Sequence, residues 1–120
     1  MSTVLLVEDS VSQIEIMSRY LQQLGFSVVI AKSSEEAQAK LKLQKPNLII
    51  LDVILPGQSG FELCREIKTD PDTSQIPVVI CSTKDTDVDK LWGSMLGADA
   101  YLPKPVEANE LVRTIRQVIK

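Results

Sequence analysis

The sequence predicts an α/β domain: a parallel β-sheet with helices packed on both of its faces. Three observations predict it. Five short apolar runs are spread along the 120 residues. The runs are uninterrupted and mostly β-branched rather than alternating, which is how strands buried on both faces read. A stretch with apolar residues at helical spacing follows each run, so the order is strand then helix, five times over.

The first strand is Val4-Leu5-Leu6-Val7. A helix from about Ser12 to Leu24 follows, with Ile14, Met17, Leu21 and Leu24 on one stripe and Gly25 just past its end. Val28-Val29-Ile30 is the second strand. Ser33-Ser34-Glu35-Glu36 has the pattern of a capping box and opens a second helix through Ala37 and Leu41, which Pro46 stops. Leu48-Ile49-Ile50-Leu51 is the third strand. Ser59-Gly60-Phe61-Glu62 repeats the capping-box pattern and opens a third helix carrying Phe61, Leu63 and Ile67. Val78-Val79-Ile80-Cys81 precedes a fourth helix over roughly Val88 to Leu96, ended by Gly97. Ala100-Tyr101-Leu102 precedes a fifth, with Leu111, Val112, Ile115, Val118 and Ile119. Crossovers between parallel strands are right-handed, which puts helices on both faces. The expected architecture is the flavodoxin-like (βα)5 three-layer sandwich with strand order 2-1-3-4-5. No repeat or linker divides the chain, and residues 1–120 read as one domain.

Composition narrows the function. Apolar residues make up 44 % and charged residues 24 %, ordinary values for a soluble globular protein. The net charge of −3, with 13 basic against 16 acidic residues, argues against a nucleic-acid binder. Lys40, Lys42 and Lys45 are too thin a basic cluster to change that and read as the wet face of a helix. Two cysteines without histidine cannot build the common zinc sites. The N-terminal apolar run meets Glu8-Asp9 too soon for a signal peptide, and no run is long enough to span a bilayer. A cytoplasmic protein with reduced thiols is expected, with Cys64 and Cys81 inert for want of an activating neighbour.

The chemistry is at the strand ends. In such sheets ligands bind beyond the carboxyl ends of the strands, where strand order reverses, between strands one and three. Strand one ends in Glu8-Asp9-Ser10, strand three in Asp52, strand four in Ser82-Thr83 and strand five in Lys104-Pro105. Glu8, Asp9 and Asp52 would converge there, and like charges that close need neutralising. A hard cation suits an all-oxygen donor set, so Mg²⁺ is expected, with Mn²⁺ as a substitute. An aspartate can act as nucleophile and form an acyl phosphate. Phosphoryl transfer asks mainly for positioning and charge neutralisation, which Mg²⁺, the Lys104 ammonium and a hydrogen bond from Ser82 would supply. No Gly-rich phosphate loop of the Walker type is present, so the donor would be a phosphoprotein or a reactive small phosphate, not ATP.

These residues resemble the CheY-like receiver domains of response regulators over essentially the whole chain. The resemblance rests on Leu5-Leu6-Val7-Glu8-Asp9-Ser10, on Asp52 with Leu55-Pro56-Gly57 and Gly60, on Val79-Ile80-Cys81-Ser82, and on Gly97 through Pro105. It implies that Asp52 is the phosphoacceptor, that Asp9 and the Ile54 backbone carbonyl ligate the metal directly, and that Glu8 acts through water. It implies that Ser82 and Tyr101 form the switch and that the Lys104-Pro105 peptide is cis. The donor would be a sensor histidine kinase or a phosphotransfer protein. A downstream protein would read the face formed by helix four, strand five and helix five, where Trp92 is either core packing or an anchor for a partner. The domain would be a monomer or a weak phosphorylation-dependent dimer, with no membrane or nucleic-acid partner. The run Asp87-Val88-Asp89-Lys90-Leu91-Trp92-Gly93 further resembles receivers from pilus-based motility and phototaxis clusters. Two departures bear on chemistry: Glu8 stands where Asp is at least as common, with little loss expected because its longer side chain still reaches a metal-bound water, and Thr83 stands where a smaller residue is usual. The resemblance further implies that Ile54 and Lys84 occupy variable positions that tune dephosphorylation; the apolar Ile54 would give an attacking water no hydrogen bond, so a long-lived phosphorylated form is expected.

Other readings compete with this one. A haloacid-dehalogenase-type phosphohydrolase needs an acid two residues after the nucleophile, where this chain has Ile54, so the protein reads as no enzyme beyond its own phosphorylation and slow dephosphorylation. A flavodoxin-like cofactor carrier needs a phosphate-cradling loop where Glu8-Asp9 stands. A phosphorylation-independent binding module, or a receiver cut from a larger regulator, stays open. If the chain is naturally this length, output would be by protein binding, with phosphorylation shifting a two-state equilibrium. The three crowded carboxylates also imply that Asp52→Asn stabilises the metal-free protein.

Overall fold

A computed structural model of the chain describes residues 2–119. Five strands and five helices alternate: β1 (Thr3–Val7), α1 (Val11–Gln23), β2 (Ser27–Ala31), α2 (Ser34–Leu43), β3 (Leu48–Leu51), α3 (Gly60–Thr69), β4 (Val78–Ser82), α4 (Asp87–Met95), β5 (Ala100–Pro103) and α5 (Ala108–Val118). The sheet order is β2-β1-β3-β4-β5, with every pair parallel, as the sequence predicts.

The period of two along each strand divides the core between the two faces. Leu5, Val7, Ile49, Leu51 and Ile80 pack with Ala37, Leu41, Leu63 and Ile67 of α2 and α3. Their strand neighbours Val4, Leu6, Ile50 and Val79 pack with Met17, Leu21, Leu111 and Ile115 of α1 and α5. Complete burial of strand residues holds for the central β3 and β4, and for β1 after its first residue. β2 and β5 lie at the edges, and most of their residues are only partly covered.

Two expectations change, and one open alternative closes. Leu24 is not on the buried stripe: α1 ends at Gln23, and Leu24 is its 40 % exposed C-cap. The serines foreseen as capping boxes do cap α2 and α3, Ser33 accepting from the Glu36 N–H and Ser59 from the Glu62 N–H. The complete reciprocal box, however, forms at α4 between Thr86 and Asp89. Trp92 does not pack into the core. α4 buries only Gly93, whose missing Cβ would lie 2.9 Å from the Tyr101 ring and 3.2 Å from Ile80. The helix therefore meets the sheet through backbone, and Val88, Leu91, Trp92 and Met95 are left 50–74 % exposed.

Candidate functional site

Backbone hydrogen bonds carry the sheet ladder one residue past the strands and fix the key side chains at its carboxyl edge. The Glu8 N–H donates to the Ala31 carbonyl (2.9 Å), the Asp52 N–H to Val7 (3.1 Å) and the Lys104 N–H to Ser82 (3.0 Å). The Lys104–Pro105 peptide is cis, as the resemblance implied. On the other side of Asp52, α3 begins with Gly60, whose missing Cβ would lie 1.9 Å from the Asp52 carbonyl oxygen, so only glycine lets the helix start this close to the strand.

These ends open on a cavity of about 410 Å³ lined by Glu8, Asp9, Ser10, Gln13, Asp52, Ile54, Thr83, Lys104 and Pro105. At its centre the Lys104 ammonium donates to Asp52 Oδ2 (2.8 Å) and to Glu8 Oε1. Glu8 is 3 % and Asp52 7 % exposed. The second oxygen of each carboxylate accepts a backbone N–H: Glu8 Oε2 from Ser10 (3.1 Å) and Asp52 Oδ1 from Ile54 (3.2 Å). Burial by itself disfavours the Lys104 ammonium. The hydrogen bonds and charges of Asp52 and Glu8 outweigh it and hold the lysine above its ordinary pKa.

The expected convergence of three carboxylates is only partly realised. Among the described residues no three acidic, histidine or cysteine side chains stand close enough to cage a cation. Lys104 pairs with both Glu8 and Asp52, whereas Asp9, which lines the same cavity, is exposed. Asp9 has no hydrogen-bond or ion-pair partner among the described residues. A free carboxylate beside Asp52, with oxygen donors and no nitrogen or sulfur, still has the chemistry of a hard divalent-cation site.

Ser82 and Tyr101 converge on one residue outside the cavity. Ser82 is fully buried and its hydroxyl accepts from the Lys84 N–H (3.2 Å), keeping its own proton to donate. The Tyr101 hydroxyl donates to the Lys84 carbonyl. Burial, then the charges of Asp89, Asp52 and Asp85, push the Tyr101 phenol up to about 12, so it stays a donor.

Ser10 and Gln13 line the cavity as well: Ser10 is the N-cap of α1, and capping brings the first turn, with Gln13, to the strand end. Cys64 and Cys81 are buried and far from nucleophilic, burial raising their thiols to about 11 and about 12. A second, largely apolar cavity of about 230 Å³, lined among others by Leu5, Val29, Leu43 and Pro46, contains no carboxylate.

Comparison with known proteins shows the family. The response regulator receiver domain family matches residues 4–116. Protein PilH of Pseudomonas aeruginosa is 36 % identical over 119 residues, covering 99 % of this chain and 98 % of that protein. The phosphate regulon regulator PhoB of the same organism is 36 % identical over 98 % of this chain, which spans 52 % of PhoB; other curated relatives are likewise matched over about half their length. Among solved structures, a putative response regulator from Chloroflexus aurantiacus superposes with a TM-score of 0.94 at 32 % identity, covering 98 % of this chain and 97 % of that one. The chemotaxis response regulator CheY4 of Vibrio cholerae gives 0.90 at 31 % identity, covering 98 % of both chains. With a family match across nearly all of its length and a relative 36 % identical over 99 % of it, this chain belongs to the response regulator receiver domain family.

Proposed function

We propose that Asp52 accepts a phosphoryl group from a sensor histidine kinase or phosphotransfer protein, and that residues 1–120 form a single receiver domain signalling by phosphorylation-dependent protein binding. The observation that carries this reading is the Lys104 ammonium held between buried Asp52 and Glu8 in an open cavity. One cation fixes the acceptor carboxylate and is already beside the oxygens that will carry the incoming charge.

Asp9, Asp52 and the Ile54 carbonyl would hold Mg²⁺ (or Mn²⁺), with Glu8 reaching it through water. Bound there, the ion would neutralise charge on the transferring group. A carboxylate oxygen of Asp52 forms the new P–O bond as the donor's P–N bond breaks; the bonding pair stays on that ring nitrogen, and a proton already on the donor's other ring nitrogen makes the departing imidazole neutral. Lys104 follows the charge from carboxylate to phosphoryl oxygen. Ser82 then turns its hydroxyl to a phosphoryl oxygen and gives up the Lys84 N–H. Because Lys84 also accepts from Tyr101, the same movement loosens the tyrosine and with it the seat of Gly93 in α4. The exposed α4 residues Val88, Leu91, Trp92 and Met95 lie on the face a downstream protein would read. The Asp87–Gly93 run and the similarity to PilH support a place in a motility-type chemosensory system. The domain acts in the cytoplasm, as a monomer or weak phosphorylation-dependent dimer, and turns over no external substrate.

The test is the intact mass of wild type and Asp52→Asn after incubation with acetyl phosphate and Mg²⁺, with and without EDTA. One added phosphoryl mass in wild type only, abolished by EDTA, is expected. No gain in a wild type that still binds Mg²⁺ points to strict dependence on a cognate kinase. No gain and no Mg²⁺ binding leaves a phosphorylation-independent binding module.

A further inference from the structure

The loop between β3 and α3 carries Ile54, and it is tied down from outside the cavity by side chains so far given no role. Its far end is held at Gln58. The buried Ser34 hydroxyl at the start of α2 donates to the Gln58 carbonyl (2.9 Å). The Gln58 side-chain amide donates to Glu66 Oε2 (2.8 Å), and the other Glu66 oxygen accepts from Gln38 of α2 (2.9 Å). The near end is held by the Gly60 N–H donating to the Val53 carbonyl (2.9 Å) and by Gly60 against the Asp52 backbone. Between these points Gly57 takes a positive φ of 72°.

We infer that Ser34, Gln58, Glu66 and Gln38 are positioning residues for phosphoryl transfer: they brace the β3–α3 loop against α2 and thereby set the place of the Ile54 backbone beside Asp52. The inference rests on the phosphoacceptor reading above. Two glutamines and a glutamate lose side-chain freedom in this network, a cost that a solvent-facing loop has no need to meet for the fold alone. Both Glu66 oxygens are engaged, so the carboxylate links helix to loop and helix to helix at once. Without it, of these links the far end would keep only the Ser34 bond to the Gln58 carbonyl. The Ile54 N–H, which donates to Asp52 Oδ1, and the Ile54 carbonyl belong to adjoining peptide groups and would drift together.

The test titrates Mg²⁺ alone into the metal-free protein by calorimetry, for wild type, Gln58→Ala, Ser34→Ala and Glu66→Ala, with thermal melts of each and phosphorylation by acetyl phosphate at sub-saturating Mg²⁺. Loosened supporting partners weaken metal sites by about tenfold or more. Gln58→Ala should weaken Mg²⁺ binding by about that factor and slow phosphorylation in proportion, with the rate recovering as Mg²⁺ saturates. Gln58→Ala combined with Glu66→Ala should be no worse than the poorer single variant, because both cut one link. Gln58 is partly exposed, so its loss leaves the core intact and keeps the test informative if Ser34→Ala folds poorly. Variants that melt lower yet bind Mg²⁺ and take up phosphate like wild type would make the network merely structural and overturn the inference. A wild type that binds no Mg²⁺ and takes up no phosphate overturns the phosphoacceptor reading itself, and this inference with it.

Discussion

Replacing Lys104 by methionine tests the electrostatics of the site directly. The ammonium serves two carboxylates whose side chains are 4 % and 9 % exposed, and it is itself 8 % exposed. Methionine keeps the length and apolar stem but leaves Glu8 and Asp52 facing each other with one backbone N–H apiece. Removing one partner of a buried ion pair costs about 3–5 kcal/mol. The retained N–H bonds and the open cavity put the expected loss at the lower end, about 3 kcal/mol, or a fall in melting temperature of roughly 10 °C. Urea unfolding followed by Trp92 fluorescence reads it as a lower midpoint at unchanged slope. Adding Asp52→Asn to Lys104→Met should recover part of the loss, since one of the two stranded charges is gone. A Lys104→Met protein within about 0.5 kcal/mol of wild type would refute the reasoning, because surface substitutions alone stay inside that range.

The remaining predictions follow from the same geometry. Asp52→Asn alone, expected from the sequence to relieve carboxylate crowding, keeps the Lys104–Glu8 pair and an acceptor for Lys104. It should therefore shift metal-free stability by less than about 1 kcal/mol while removing most stabilisation by millimolar Mg²⁺, measured by thermal melts. Gly60→Ala puts a methyl 1.9 Å from the Asp52 carbonyl oxygen, where only backbone can yield, and should cost upwards of about 3 kcal/mol and blunt phosphorylation as well. Cys64 and Cys81, raised by burial from 9.0 to about 11 and about 12, should resist iodoacetamide at pH 8, where both are neutral and shielded; labelling of native protein within minutes would contradict this. The sign for stability follows: above pH 9 the unfolded chain releases these two protons before the folded one does, so stability falls as pH rises. The apolar Ile54 and bulky Thr83 at the cavity should give a phosphoryl group lasting well beyond seconds, followed by intact mass after removal of donor, with Ile54→Asn shortening it.

How much of this was legible in the sequence differs from residue to residue. Local pattern determined the element order and the sheet, because uninterrupted apolar runs rich in Ile and Val, such as Leu48–Leu51 and Val78-Val79-Ile80-Cys81, have few alternatives to a sheet buried on both faces. It also determined the site's location, since Glu8, Asp52, Ser82 and Lys104 each close a strand, and parallel strands bring their carboxyl ends to one edge. What it could not decide was which charge meets which. Glu8 and Asp9 are adjacent in sequence and both line the cavity, so no local pattern says which of them reaches Lys104. Only the tertiary structure gives Glu8 to Lys104 and leaves Asp9 without a partner among the described residues. Trp92 was ambiguous for the same reason: helical spacing defines a stripe but not which way it faces, and the fit of Gly93 on Tyr101 turns that stripe to solvent. The links from Ser34 to Gln58 and from Gln38 to Glu66 join residues 24 and 28 positions apart, and no local pattern announces them. Sequence fixes what acts through the neighbouring few residues, namely period, caps and strand ends. Partnerships across the fold depend on distances that exist only once the sheet has brought remote segments together.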